Sequence, residues 1–447
     1  MSRRRRNKIP EGLFRADIES LSHEGRGVAH IEGKTVFIDG ALPGEQIEFK
    51  YVSKRSKFDE GVTENVITAN KQRIEPGCEY FGYCGGCSLQ HMQADAQLEH
   101  KLSVLLEQFT HLGNVQPGSV LSPLKGPEFG YRHKARLAVK YVLKKEKVLV
   151  GFREKRSPFV ANIEHCEVLH PAIGKKLAVL QQLIEGLSLY KQIPQIEVAV
   201  SDNGTALVLR HLELFTEDDI SKLKTFEVEH KFKLYLQPAG YDSVHRLNVN
   251  NNESNESELF YKLDEHDITI YFKPTDFTQI NVDINQQMIM LAIELLDPDD
   301  DDAILDLFCG VGNFTLPLAR KAKSVTGVEG DIELVQRAKD NANRNDIDNV
   351  GFYVADLANT DNTYEFMKKS YDKILLDPAR TGAKEIISAL DMKNVKRIVY
   401  VSCNPATLAR DAGILVNEKG FKLKKAGVMD MFPHTAHVES IAVFERK

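Results

Sequence analysis

The sequence predicts an α/β protein built from three parts: an OB-like β-barrel over 10–68, a mixed α+β region over 75–272, and a Rossmann-like open sheet over 275–447. Three observations carry this reading. Apolar and polar residues alternate between glycine turns near the start, a cysteine cluster opens the middle, and short apolar runs recur at βα spacing in the last third. A chain of 447 residues has room for three domains of roughly 100–200 residues each.

In the first part Phe14, Ala16 and Ile18 alternate, as do Ile47, Phe49 and Tyr51, and a period of two marks a half-buried strand. Gly25, Gly27, Gly33, Gly40 and Pro43-Gly44 supply turns between the runs. Such short, glycine-punctuated strands with exposed lysines suit a small barrel that binds nucleic acid. In the middle part a helix is expected over 94–109, with Leu98, Leu102, Leu105, Leu106 and Phe109 on one face. Strands are expected at 137–142, 197–200 and 206–210, and the polar run 248–258 has the composition of a loop tip. In the last part strands are expected at 304–308, 325–328, 352–354, 374–376, 398–401 and 441–444. The first five return roughly every 20–25 residues, the rhythm of a parallel sheet. The acidic run Asp297 to Asp302 before them reads as a solvated turn.

Hydrophobic residues at 42% and charged ones at 27% are the proportions of a soluble globular protein. No apolar stretch approaches the ~20 residues a membrane span needs. The basic start lacks the apolar core of a signal peptide, so a cytoplasmic location is expected. The net charge of −6 decides nothing about nucleic acid, because placement matters more than the sum. Positive charge gathers at Arg3 to Arg6, at Lys50, Lys54, Arg55 and Lys57, and at Arg132, His133, Lys134 and Arg136. Each group suits phosphate neutralisation, and each taken alone reads sooner as an ordinary solvated surface.

The run ILDLFCGVGNFTLPLA, 304–319, reads as strand, glycine turn and helix. Gly310 and Gly312 let the backbone approach a ligand at the sheet's carboxyl edge, and Glu329 closes the next strand, where a carboxylate can hold ribose hydroxyls. The third glycine of a dinucleotide fingerprint is missing, since Asn313 and Phe314 follow Gly312. No pyrophosphate needs cradling there, and an adenosyl sulfonium, S-adenosyl-L-methionine, fits better than a nicotinamide cofactor.

Three further motifs converge on the same edge. LLDPAR (375–380) and VSCNP (401–405) follow successive strands, and PHTAHVES (433–440) precedes the last. A buried cysteine is usually a small hydrophobe, but Cys403, at the end of a strand that Asn404-Pro405 must break, is placed as a nucleophile. Glu439 is the candidate general base. Asp377-Pro378 is followed by Ala379-Arg380, which is not the pattern of exocyclic-amine methylation. His434, His437 and Glu439 lack the spacing of a zinc site. The other cysteines include Cys78, Cys84 and Cys87, spaced C-x5-C-x2-C, and Cys166 beyond. Four thiolates can ligate zinc or an iron–sulfur cluster, and spacing alone leaves both open.

Taken together, the C-x5-C-x2-C cluster, FTQIN (277–281), DLFCGVGNF, LLDPAR, VSCNP and HTAHVE resemble the RNA uracil-C5 methyltransferases, specifically the branch acting on 23S ribosomal RNA. The resemblance covers nearly the whole chain and marks the N-terminal part as a TRAM-like RNA-binding barrel. It implies a [4Fe-4S] cluster on Cys78, Cys84, Cys87 and Cys166, with Cys403 as nucleophile and Glu439 as base. For S-adenosyl-L-methionine it points to Gln279, Phe308, Asn313, Glu329 and Asp377. Asp356 stands where the family commonly has asparagine, and an acid there can still accept from an adenine amine or a hydroxyl. The chemistry it implies is addition of the thiolate to carbon 6 of uracil, which makes carbon 5 nucleophilic toward the methyl group. The implied partner is 23S rRNA, as a stem-loop or in a partly assembled subunit, with the target base flipped out and the enzyme acting as a monomer. The tRNA-directed relatives usually lack both barrel and cysteine cluster, and a sibling acting on another 23S uridine lacks the barrel.

Overall fold

A computed structural model describes residues 9–248, 258–359 and 364–446. The basic arm Arg3 to Arg6 lies outside the described residues, as does all but the ends of the run 248–258. The chain divides into two compact units. One holds the residues up to Val104 with Glu154–Ser157 and Phe432–His437; the other holds Leu105–Arg153, Pro158–Met431 and the residues from Val438 onward.

The alternation near the N-terminus becomes a six-stranded sheet. Its strands are Phe14–Asp17, Ser20–Leu21, Gly27–Ile31, Lys34–Asp39, Gln46–Lys54 and Phe58–Thr68. The long 46–54 strand joins the first strand to the last, and the 34–39 and 58–68 strands pair in parallel. The alternating residues Ala16, Val36, Ile38, Ile47 and Phe49 meet in one core. Gly61 is required there: a Cβ at that position would stand 2.5 Å from the Phe49 ring. The expected helix appears as Ala94–Gln108. Its buried face includes Lys101, whose ammonium donates to the Phe432 carbonyl at 3.0 Å.

In the second unit, a six-stranded sheet includes Lys134–Val142, Lys147–Gly151, Gln195–Ser201, Gly204–Arg210 and Phe232–Gln237. In the third expected group of positive charges Arg132, His133 and Lys134 are half-buried and Arg136 is exposed. The Lys134 ammonium donates to the Asp276 carbonyl, Arg132 donates to the Lys134 carbonyl, and Arg136 pairs with Glu197. A hairpin, Leu259–Leu263 with Ile268–Phe272, leads into the last sheet.

That last sheet has eight strands. Ala303–Leu307 lies centrally, flanked on one side by Ser324–Glu329 and Val350–Val354, and on the other by Lys373–Leu376 and Arg397–Ser402, all parallel. Glu439–Arg446 then inserts antiparallel between Arg397–Ser402 and Phe421–Met429. The order reverses beside the first strand, where an open sheet binds its ligand. One expectation needs correcting. Asp302 of the acidic run is buried, not solvated, and its carboxylate pairs with Lys373 at 2.6 Å. No helix among the described residues is long and apolar enough to cross a membrane.

Candidate active site

The glycine turn follows the 303–307 strand as expected. Phe308 takes a left-handed φ of 69°, and Gly310 and Gly312 take 55° and 97°. Such a conformation is costly for a bulky residue and persists where the surroundings enforce it. Here the N–H groups of Phe308 and Cys309 both donate to the Val328 carbonyl, at 2.9 and 3.0 Å. Glu329 closes the ring. Its carboxylate accepts from the N–H groups of Gly310 (3.2 Å), Gly330 (2.7 Å) and Asp331 (3.2 Å). Asn313 exchanges amide hydrogen bonds with Asn285 and accepts from the Tyr261 hydroxyl at 2.8 Å, which locks the turn to the helix Val282–Leu296 and to the hairpin.

Gln279 is held in a loop with two anchors. The Asp276 carboxylate accepts from Arg337 at 2.8 Å and from the Lys273 N–H at 2.7 Å. Beyond it, Asn281 caps the helix Val282–Leu296 by accepting from the Ile284 N–H. Between these anchors Gln279 donates to Asp377 at 3.4 Å. Phe277, two residues earlier, is 72% exposed. Asp356 is exposed beyond the third strand, and its carboxylate accepts from the Ala358 N–H at 3.0 Å.

Antiparallel pairing brings the two candidate reacting groups to one sheet edge. Ser402 lies opposite Ser440, so the next positions outward, Cys403 and Glu439, close adjacent strands at one sheet edge. Asn404 and Pro405 do more than end the strand. The Asn404 side chain accepts from the Ala406 N–H and Pro405 opens the helix Pro405–Asn417, so backbone and thiol are fixed by a cap. Asn404 also donates to the Arg380 carbonyl at 2.9 Å, tying VSCNP to LLDPAR.

The electrostatics are unusual. Glu439 is 3% exposed; burial and the charge of Asp377 push its carboxyl well above the ordinary range, with Arg380 opposing. Burial raises Asp377 to about 7. Asp306 is fully buried and also reaches about 7, through burial with Asp377 and Glu329 nearby, despite a 2.5 Å hydrogen bond from the Thr315 hydroxyl. Its second oxygen has no partner among the described residues. Burial and the charges of Glu439 and Asp377 raise the Cys403 thiol to about 11, and Arg380 pulls it back. Buried acids thus gather near Cys403, and the Arg380 guanidinium offsets them only in part. That is the setting a cationic ligand would relieve, and a sulfonium with an ammonium group fits it.

Two of these residues were not assigned from the sequence. Arg380 stood within LLDPAR, but nothing in the spacing said that its charge would act on Cys403 and Glu439. Asp306 looked like a strand residue, and only its burial beside Asp377 shows its part. Ile332 is a third: it is 71% exposed just past Glu329, which a helix pattern alone does not reveal.

The other cysteines occupy tight turns. Phe81 N–H donates to the Cys78 carbonyl (3.0 Å), Cys84 N–H to the Tyr80 carbonyl (2.8 Å), and Gly86 N–H to the Cys84 sulfur (3.4 Å). Burial raises the Cys84 thiol and Cys78 adds to the effect, so these two lie within electrostatic reach. In the other unit, Cys166 is packed against Gly174, where a Cβ would stand 2.4 Å from the Cys166 carbonyl oxygen. Among the described residues no group of three or more His, Cys, Asp or Glu is gathered closely enough to hold a metal ion.

Comparison with known proteins agrees with this geometry. The family model described as tRNA (Uracil-5-)-methyltransferase matches residues 93–447, and the TRAM domain matches 13–50. A 23S rRNA (uracil(1939)-C(5))-methyltransferase RlmD from Francisella tularensis subsp. novicida is 50% identical over 446 residues, 99% of each chain. The protein of that name from Hahella chejuensis is 50% identical over 447 residues, again 99% of each. A solved structure, the Pyrococcus abyssi tRNA (uracil-54, C5)-methyltransferase in complex with S-adenosyl-L-homocysteine, superposes with a TM-score of 0.72 at 24% identity. It covers 96% of this chain and 99% of its own, and shows the shared fold. With half its residues identical to such relatives along its whole length, the chain belongs to the S-adenosylmethionine-dependent uracil-C5 RNA methyltransferase family.

Proposed function

We propose that the chain methylates carbon 5 of one uridine in 23S ribosomal RNA, working as a cytoplasmic monomer, with Cys403 as nucleophile and Glu439 as base. The observation that carries this is the strand register that sets Cys403 beside Glu439, with Asp377 and Arg380 acting on both. The relatives named for 23S rRNA support the choice of substrate.

S-adenosyl-L-methionine supplies the methyl group as a sulfonium. Gln279, Phe308, Asn313, Glu329, Asp356 and Asp377 would hold it, and its positive charge answers the buried acids. The Cys403 thiol loses its proton to water and its sulfur bonds to carbon 6 of the uracil. The C5–C6 π pair moves toward carbon 5, which would take the methyl group as its bond to the donor sulfur breaks and S-adenosylhomocysteine leaves with that electron pair. Glu439, once ionised, removes the remaining proton from carbon 5; the electron pair re-forms the double bond and expels the Cys403 thiolate. Burial that raises its proton affinity makes Glu439 a stronger base for that step. Arg380 favours the thiolate over the thiol. The exposed Ile332 offers an apolar face for adenine beside the ribose site at Glu329.

A [4Fe-4S] cluster on Cys78, Cys84, Cys87 and Cys166 belongs to the same proposal. Soft thiolates are the right donors, and an N–H directed at the Cys84 sulfur is a common feature of such sites. Bound there, the cluster would cross-link the cysteine loop; no step of methyl transfer passes through it. Anaerobic reconstitution followed by iron and sulfide analysis tests it, with loss expected in Cys84→Ser.

The deciding assay incubates the enzyme with methyl-labelled donor and either 23S rRNA or tRNA transcripts, then digests the RNA for nucleoside mass spectrometry. Labelled 5-methyluridine at one position of 23S rRNA is expected. Label in tRNA alone would replace the substrate, and any other methylated nucleoside would overturn the chemistry.

A further inference from the structure

The first unit contains a cavity of about 300 Å³ that the catalytic residues do not line. Its walls come from three stretches: the barrel (Asp39, Val62, Val66), the segment after it (Arg73, Ile74), and the cysteine loop with the 154–157 turn (Phe81, His91, Lys155). Its volume is at the lower end of small-ligand sites.

Two features say what would fit. The first is His91, only 2% exposed, whose two ring nitrogens have no hydrogen-bond partner among the described residues. Buried polar groups are rarely left in that state without a ligand or water to meet them. Burial, with Arg73 and Lys155 nearby, holds its pKa down at about 3, so the ring is neutral, with one donor and one acceptor. The Phe81 ring lies 5.4 Å from it at 31°, and Lys155 sits over the other ring at 5.9 Å. The second feature is charge balance. Arg73 is engaged by Glu45 at 2.5 Å, and Asp39 is paired with both Lys155 and Arg156. With its cations committed, the cavity suits a neutral, flat, hydrogen-bonding ligand rather than a free anion.

We propose that this cavity is a second nucleotide site, which takes one unpaired base of the RNA substrate, packs it beside Phe81 and Ile74, and reads its edge with His91. Aromatic stacking with edge hydrogen bonds is how proteins hold splayed-out bases. A base anchored here would fix the RNA at a point separate from the reacting uridine. The inference rests on the reading that the chain acts on RNA.

The test uses the full chain, a 23S rRNA transcript, and two variants: His91→Leu, which removes the polar edge, and Ile74→Trp, which fills the cavity from its exposed rim. Each should raise KM for the transcript about tenfold, the worth of one stacked base, while kcat at saturating RNA is retained. Transcripts carrying 4-thiouridine, 6-thioguanosine or 8-azidoadenosine, irradiated with wild type, should cross-link at a single nucleotide to a peptide containing Ile74, Phe81 or His91. Ile74→Trp should lose that cross-link. Unchanged KM in both variants with no cross-link at these residues overturns the site. So does a fall in kcat matching the rise in KM, which would mark a structural role. If KM rises only on ribosomal particles and not on naked transcript, the occupant is protein and the base assignment is wrong. A wild-type enzyme that cross-links through the cavity yet transfers no methyl group would sink the catalytic reading and leave this site standing.

Discussion

Buried carboxylates occur in the barrel unit and at the catalytic edge, and the two regions treat them in opposite ways. In the barrel, Glu45 is 1% exposed, yet hydrogen bonds from Arg73 and from the Leu42 and Asn70 N–H groups outweigh its burial and hold its pKa below the usual value. Asp59 is likewise buried and pairs with Lys34 at 2.6 Å. At the candidate catalytic edge burial pushes Asp306, Asp377 and Glu439 up, and the charge of Arg380 opposes this at Glu439 without cancelling it. The first arrangement is finished in the folded chain. The second leaves buried acids that, under the proposed function, a cationic ligand answers, so carboxylates of one type would serve stability in one region and binding in the other.

The sharpest break in this contrast is Cys403→Ala. It should lower methyl transfer by more than about a thousandfold, since the proposed mechanism makes its covalent bond through that sulfur, and leave thermal unfolding near wild type; rate and melting measurements check both. Next is Arg73→Ala, which leaves Glu45 buried and unpaired. It should destabilise the barrel by roughly 3 kcal/mol, read by urea denaturation of the full chain. Asp306→Asn should do the reverse. A carboxyl raised from 3.8 to about 7 holds an extra proton in the folded state between those values, so its ionisation costs stability as pH rises through that window. The variant should therefore be more stable than wild type at pH 8, by up to about 4 kcal/mol, and no different near pH 4, while binding S-adenosyl-L-methionine more weakly. The smallest effect is in ligand preference. As Asp306 and Asp377 ionise near pH 7, affinity for the sulfonium relative to uncharged S-adenosylhomocysteine should rise about tenfold from pH 6 to 8, measurable by calorimetry. A flat ratio would mean that these acids do not face the sulfonium.

Much of this was legible in the sequence, and what was not has a physical reason. The six strands expected in the last third all appear, because runs such as 304–308 and 398–401 are apolar enough to be buried on both faces. The strand Phe421–Met429 was not expected: Lys422, Lys424 and Lys425 break its apolar pattern, and its last residues are buried by strand pairing rather than by an obvious period. In the helix Ala94–Gln108 the expected buried face runs through leucines and Phe109; Lys101 joins it because its ammonium donates to a carbonyl on a distant segment, which no local window shows. At the candidate site, Cys403 and Glu439 could be named from motifs. Their adjacency could not, because it depends on one antiparallel strand entering an otherwise parallel sheet. The charge environment was invisible for a related reason: it comes from burial summed over four strands that no local window contains.

The most direct test of the central claim is a covalent trap. Wild-type enzyme, S-adenosyl-L-methionine and a 23S rRNA fragment containing 5-fluorouridine are resolved on a denaturing gel. Fluorine at carbon 5 cannot leave as a proton does, so elimination of the cysteine is blocked. A slow-migrating protein–RNA band that Cys403→Ala abolishes is the predicted result. A band that survives in Cys403→Ala, or no band although the fragment binds and its unfluorinated form is methylated, would contradict the account.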